Sequence, residues 1–325
     1  MLITRTPFRV SFCGGGSDIA SFYEKHGGCV ISTSIDKYMY VTIHPTFRKS
    51  NIVLKYSKTE EVTKIDEIDH KIFRQCLSDF DLEGVEITSV ADVPAGTGLG
   101  SSSTFTVGLL NTLYAYTDQF VSKERLGKEA SEVEIDKLKE PIGKQDQYAA
   151  AVGGLNYIAF NRDGSVSVEP IIMATSSYAT IEKNLMMFYT GDVRSASAIL
   201  KEQSSNISSG DKEKAMMKMV DITKKLKTEL EKNNVDYLGE ALHENWLLKK
   251  TLASSISNPN IDKWYEAAIN SGALGGKLLG AGGGGFLLFY VPESKQNDVR
   301  EALAELPEID FGFDQQGSTV IYVDR

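Results

Sequence analysis

The sequence predicts an α+β protein of two domains, and three observations carry that expectation. Strand-like and helix-like segments are mixed without the regular βαβ alternation of a doubly wound sheet. At 325 residues the chain exceeds what a single hydrophobic core comfortably organises. Its first part is rich in alternating β-branched and aromatic residues, whereas its second part carries long helical periodicities.

In chain order, "FRVSF", "YMYVTIH" (Tyr38–His44), "IVLKY" (Ile52–Tyr56) and "VEITSV" (Val85–Val90) read as strands. "TFTVGLLNTLYAYT" then places Val107, Leu110, Leu113 and Tyr114 at helical spacing. A second helix is expected through "KERLGKEASEVEIDKL". "GGLNYIAFN" and "SVSVEPI" read as a hairpin turning at Asp163-Gly164. The domain boundary is expected near Pro170–Ser177, giving domains 1–172 and 173–325. Beyond it, "LMMFYTG" (Leu185–Gly191) is a strand, and Lys212–Lys232 is an amphipathic helix with Met219, Ile222, Leu226 and Leu230 inward. Another helix covers Tyr237–Leu252. "GGKLLGAGGGGFLLFYV" reads as strand, glycine turn, strand, followed by a helix over Lys295–Ala304 and a last strand "STVIYV". Trp246 and Trp264 fall in helical patterns and are expected in the core.

Composition excludes several classes. A net charge of −9 and a hydrophobic content of 42% suit a globular protein, and argue against bulk affinity for nucleic acid or anionic membrane. No apolar run approaches a membrane span, and no signal-peptide layout opens the sequence, so a cytoplasmic protein is expected. Cys13, Cys29 and Cys76 are scattered and odd in number, which fits free thiols, and the four histidines are unclustered, which makes a zinc site a poor expectation.

One stretch stands out: "PAGTGLGSSST", Pro94–Thr104, between a strand and a helix. It lacks the Lys-Ser/Thr pair of a Walker A loop, since Ser101-Ser102-Ser103 follow Gly100. It lacks the third glycine of a dinucleotide fingerprint, whose place is taken by Ser101. What remains is a glycine-rich turn feeding a helix N-terminus, where free N–H groups and the helix dipole favour an anion and a serine oxygen can ligate Mg²⁺. A serine-capped helix after a loose turn fits the same residues.

Two further glycine-rich segments, "TPFRVSFCGGGSD" (Thr6–Asp18) and "KLLGAGGGGF" (Lys277–Phe286), accompany this loop. In this order and spacing the three resemble the motifs of the GHMP kinases, the family of galactokinase, homoserine kinase, mevalonate kinase and phosphomevalonate kinase. "PAGTGLGSSS" is similar to that family's P-x-x-x-G-L-G-S-S-A loop, departing at Ser103. The resemblance spans nearly the whole chain. It implies a ribosomal protein S5 domain 2-like N-terminal domain, a ferredoxin-like C-terminal domain, and an active site between them. By the same resemblance ATP contacts Pro94, Gly96, Gly98, Leu99, Gly100, Ser101, Ser102 and Ser103.

"EIDKLKEPIGKQDQY" (Glu134–Tyr148) resembles the galactokinase segment E-x-x-x-x-x-x-P-x-G-x-x-D-Q. That match implies Asp146 as catalytic carboxylate, Arg9 as its partner, Glu134 with Ser102 as Mg²⁺ ligands, and Asp18 as a ligand of sugar hydroxyls; Glu132 is the alternative to Glu134. Where galactokinase reads G-E-H-T-D this chain reads "GGGSD", so two side chains that hold galactose are replaced by Gly15 and Gly16, which the resemblance implies as substrate contacts together with Ser17. With "YTGDVRSAS", the combination looks most like kinases that phosphorylate the anomeric oxygen of a heptose 7-phosphate. The substrates implied are ATP and a sugar phosphate, with Mg²⁺ as cofactor, and the chain is a monomer or homodimer. Arg194 is the candidate phosphate clamp, with Arg48 and Lys49 as alternatives, and Gly282 and Gly283 of the second glycine loop are candidate substrate contacts. An unphosphorylated sugar as acceptor, or a non-catalytic binding role, remain the competing readings.

Overall fold

The computed structural model describes residues 1–48, 51–191 and 210–324. It contains a nine-stranded sheet and a three-stranded sheet. The organising strand of the first is β2 (Gly28–Pro45), 18 residues long. One edge of β2 pairs antiparallel with β1 (Leu2–Cys13). Its other edge is shared by β5 (Val85–Ala91), β6 (Leu155–Phe160) and β11 (Phe313–Asp314). The parallel pair β3 (Ile52–Lys55) with β5 extends the sheet to β4 (Thr59–Val62), and β7 (Val166–Pro170) closes the expected hairpin with β6.

Sequence reading found only the Tyr38–His44 half of β2. Residues Gly28–Ile35 are buried on both faces, so no hydrophobic alternation marks them. The same effect hides α5 (Gln145–Val152), whose run from Gln147 to Ala151 is wholly buried. The helices α1 (Ala20–His26), α2 (Lys71–Phe80) and α4 (Lys123–Ser131) complete the first region. Helix α3 (Ser101–Tyr116) packs on β1 and β2 with Val107, Leu110 and Leu113 in the core.

The second sheet, β8 (Leu185–Tyr189), β10 (Phe286–Tyr290) and β9 (Gly275–Leu278), is antiparallel. The expected strand, glycine turn and strand pair directly, Leu278 facing Leu287. Around this sheet lie α6 (Thr175–Asn184), α7 (Gly210–Glu231), α8 (Tyr237–Lys250), α9 (Pro259–Asn270) and α10 (Gln296–Ala302). Met219, Leu226 and Leu230 of α7 are buried as their spacing demands, and Ile222 is partly buried. Trp246 is fully buried, whereas Trp264 lies half out of the core and donates its Nε1–H to Glu305 Oε1 at 2.6 Å.

The linear division at 172/173 needs one correction. After α10 the chain returns to the first sheet: β12 (Thr319–Val323) pairs antiparallel with β1, Leu2 opposite Val323. That pairing covers the outer edge of β1, which would otherwise present unpaired N–H and C=O groups.

Candidate active site

A cavity of about 450 Å³ opens where the two sheets' loops converge. Its floor is the 94–100 loop. Gly96, Gly98 and Gly100 all have positive φ, at 79°, 86° and 79°, so the every-second-residue glycine pattern follows from a backbone that side chains oppose. Gly100 itself is the N-cap of α3, with no side-chain cap, which corrects the expectation of a serine there. The three serines are thereby released into the first helical turn, and Ser101, Ser102 and Ser103 line the cavity with the three glycines. Leu99 is fully buried in the core and Pro94 sits exposed, its carbonyl accepting from Thr97 Oγ1 at 2.9 Å; neither lines the cavity. Their part is to hold the turn in shape.

Across the floor lies an ion pair. Arg9 on β1 donates from Nε to Asp146 Oδ1 at 2.8 Å and from Nη2 to Oδ2 at 2.7 Å, a bidentate fork. Its third contact, Nη1 to Gly98 O at 2.7 Å, ties the fork to the glycine turn. Asp146 belongs to the first turn of α5, where the helix dipole favours its charge. A Cβ at Gly100 would stand 3.1 Å from Asp146 Oδ2, so the glycine also makes room for the carboxylate.

Ser102 and Glu134 meet as expected: the hydroxyl donates to Glu134 Oε1 at 2.6 Å, while Gln147 Nε2 donates to Oε2 at 2.7 Å. A π-helical turn over Glu132–Lys137, following α4, presents this carboxylate inward. Glu132 is 43% exposed on the surface beside Lys128, which removes it as the alternative. Glu134 is completely buried with neutral donors for partners, and burial raises its pKa. A buried carboxylate without a cation is costly, and a divalent ion would supply the missing charge. No group of three or more His, Cys, Asp or Glu side chains able to hold a metal ion exists among the described residues. Ser102 and Glu134 therefore suit Mg²⁺, which is held through one or two protein oxygens and substrate phosphates rather than a full protein cage.

The turn after β1 forms the opposite wall. Gly15, Gly16 and Asp18 line the cavity. Asp18, 2% exposed, accepts from Gly16 N at 2.9 Å and from Gln145 N and Nε2, each at 3.2 Å. Burial and the neighbouring Asp146 charge raise its pKa. Ser17 is the exception among the expected contacts: its hydroxyl bridges the N–H and C=O of Cys29, both at 3.0 Å, and so serves β2 rather than the cavity.

From the second region, the glycine loop after β9 closes over the floor. A Cβ on Gly98 would lie 2.5 Å from Leu279 O, and one on Gly280 would lie 2.5 Å from Gly98 Cα, so the two glycine turns touch backbone to backbone. Gly282 lines the cavity; Gly283 does not, its N–H being spent on Ile256 O. Arg194 and Lys49 lie outside the described residues, and Arg48 is exposed and does not line the cavity.

Three residues escaped sequence reading. Lys249, at the end of α8, is 5% exposed, lines the cavity and donates to Gly280 O at 2.7 Å. Burial first, and the Arg9 charge second, push its pKa down to about 8. Lys277 on β9 is fully buried, with Nζ bonded to Ser11 O at 2.7 Å and Phe12 O at 3.2 Å, and burial holds its pKa well below the usual lysine value. Gln145 lies one residue before Asp146 and grips Asp18. In sequence Lys249 is one of a basic pair closing a helix, where lysines are ordinary, so no local signal distinguishes it.

Comparison with known proteins gives the family. The sequence pattern of the GHMP kinases N terminal domain matches residues 68–154, and that of GHMP kinases C terminal matches residues 226–308. The D-glycero-alpha-D-manno-heptose 7-phosphate kinase of Campylobacter jejuni is 28% identical over 328 residues, covering 97% of each protein. The crystal structure of a D-glycero-D-manno-heptose 1-phosphate kinase from Bacteroides thetaiotaomicron superposes with a TM-score of 0.82 at 25% identity, covering 100% of both chains. Phosphomevalonate kinase of Streptococcus pneumoniae shares the fold, with a TM-score of 0.78 at 17% identity and 99% coverage of each chain. With both domain patterns present in order, and the two-domain fold shared along its whole length, this chain belongs to the GHMP kinase family.

Proposed function

We propose that the chain is an ATP-dependent kinase that phosphorylates the C1 hydroxyl of D-glycero-D-manno-heptose 7-phosphate, giving the 1,7-bisphosphate and ADP. The observation that carries the reading is the Arg9–Asp146 fork, set between the glycine-serine floor and the Asp18 wall. The names of the two heptose kinases above support the sugar class.

ATP lies with its phosphates on the N–H groups of the Gly96–Ser103 turn and the positive end of α3. Mg²⁺, held by Ser102 and Glu134, neutralises phosphate charge when bound. Asp18 orients the sugar so that its C1 hydroxyl reaches Asp146. As the C1 oxygen bonds to the γ-phosphorus and the bond to the β–γ bridging oxygen breaks, Asp146 accepts the hydroxyl proton. Arg9 holds the Asp146 carboxylate in place and steadies charge on the attacking oxygen. A binding protein has no need of such a proton acceptor beside a cavity, which weighs against a non-catalytic role. We place the reaction in the cytoplasm, where ATP is supplied.

The test is a sugar panel assayed for ADP release, with phosphorus NMR locating the new phosphate. Turnover of heptose 7-phosphate with a new anomeric phosphate is expected. Turnover confined to free fucose, galactose or an N-acetylhexosamine would replace this acceptor with an unphosphorylated sugar. Nucleotide binding without turnover of any sugar would leave a binding protein.

A further inference from the structure

The three glycines after β1 answer to different demands. Gly14 has φ +87°, and a Cβ there would sit 2.0 Å from Cys29 O, so the fold requires it. Gly16 has φ +104°, a conformation that side chains oppose. Gly15 meets neither condition: its φ lies outside the left-handed region, and a Cβ would find its nearest neighbours at 3.7 Å or more, ordinary contact distance. The fold would accept a side chain at position 15, and the sequence withholds one.

The space left above Gly15 is walled by polar groups. A Cβ there would lie 3.7 Å from Gln145 Nε2, 3.9 Å from Gln145 Oε1 and 4.0 Å from Lys249 Nζ. Gln145 Nε2 faces the Asp18 carboxylate, which fixes the amide's orientation and leaves Oε1 as the free end. That Oε1 is buried with no hydrogen-bond partner. Lys249 spends one N–H on Gly280 O and has two more donors. An unpaired buried acceptor is costly, so a notch built this way favours a ligand that completes it.

We infer that Gln145 and Lys249 form, over Gly15, a specificity-determining notch that receives one hydroxyl-bearing arm of the acceptor sugar. The hydroxyl donates to Gln145 Oε1 and accepts from Lys249 Nζ. This rests on the kinase reading above and adds to it the feature that distinguishes the acceptor. The notch adjoins Asp18 and the residue before Asp146, so its occupant is the acceptor rather than the nucleotide.

The test uses the full chain and the variants Gly15→Ala and Gln145→Met. ADP release is measured with heptose 7-phosphate and, as an acceptor one carbon shorter, mannose 6-phosphate. Gly15→Ala is expected to melt within a degree or two of the unmodified protein and to raise the KM for heptose 7-phosphate about tenfold, a hydrogen bond's worth. The KM for ATP stays unchanged and the shorter acceptor is less affected. Gln145→Met raises the acceptor KM likewise, and adding it to Gly15→Ala costs little more, because both empty one contact. An acceptor KM within twofold of the unmodified protein in both variants overturns the inference. A large fall in melting temperature for Gly15→Ala overturns its premise, since the fold would then need that glycine. If the unmodified protein transfers phosphate to no sugar, the functional reading fails and takes the notch with it.

Discussion

Replacing Asp146 by Asn tests the chemistry most directly. Asn keeps one oxygen for Arg9 but turns an NH₂ group toward a guanidinium N–H, so one of the two bonds of 2.8 and 2.7 Å becomes a donor–donor clash. The pair is partly exposed on the aspartate side, at 22%, so the loss of one charge-assisted bond is about 1–3 kcal/mol rather than the larger figure for a dry interior. That lowers the melting temperature by a few degrees and leaves the chain folded at 25 °C. The kinetic effect is larger. A positioned general base contributes about 10²–10⁴-fold, which corresponds to about 2.7–5.4 kcal/mol of barrier. Asp146 is hydrogen-bonded toward the nucleotide floor through Arg9, whose Nη1 bond to Gly98 O the substitution leaves in place. The KM for ATP should therefore move less than threefold while kcat falls at least a hundredfold, in an ADP-release assay run beside a thermal melt. A folded Asp146→Asn protein with kcat within tenfold of the unmodified enzyme would refute the assignment, and charge stabilisation by Arg9 would have to carry the reaction.

Ser102→Ala deletes the hydroxyl that meets Glu134 and should raise the KM for Mg²⁺–ATP about tenfold with the acceptor KM unchanged; a magnesium titration of the rate checks it. Gly98→Ala places a Cβ 2.5 Å from Leu279 O at φ +86°, combining left-handed strain with overpacking, so it should cost about 2–4 kcal/mol in denaturant unfolding. A neutral result would mean that the two glycine turns separate freely. Lys249, with its pKa near 8, faces Arg9 on β1, Asp18, Asp146 on α5 and Lys277 on β9. Its ammonium is present below pH 8 and is lost as pH rises through that value, so the acceptor KM should climb between pH 7 and 9.5. Lys249→Gln should remove that limb, and a flat profile in the unmodified enzyme would contradict the charge assignment.

Much of the cavity's lining was legible because it is encoded locally. Positive φ at Gly96, Gly98 and Gly100 forces glycine at each of them, so the backbone writes its own signature into the sequence. Glu134, Pro141, Gly143 and Asp146 sit at fixed spacing on one continuous stretch, and Gly143 could not be otherwise: a Cβ there would stand 1.9 Å from Asp18 Oδ2. Ser17 misled because a motif position shows that a residue matters, not which way it points; its hydroxyl is claimed by the backbone of Cys29.

What the sequence determined alone was the set of local demands: alternating strands, the amphipathic α7, the glycine turns and the acid beside them. The tertiary structure decided which of these meet. Residues 9, 98 and 146 become one cluster, and Lys249 joins it across more than a hundred residues of chain. Long-range pairing also claimed the C-terminal strand for the first sheet, since the open edge of β1 needs a partner wherever the chain can supply one. Contacts of that kind depend on burial and approach, which no spacing along a chain records. A lysine at the end of a helix reads as solvated until folding encloses it, and only then does its charge belong to the site.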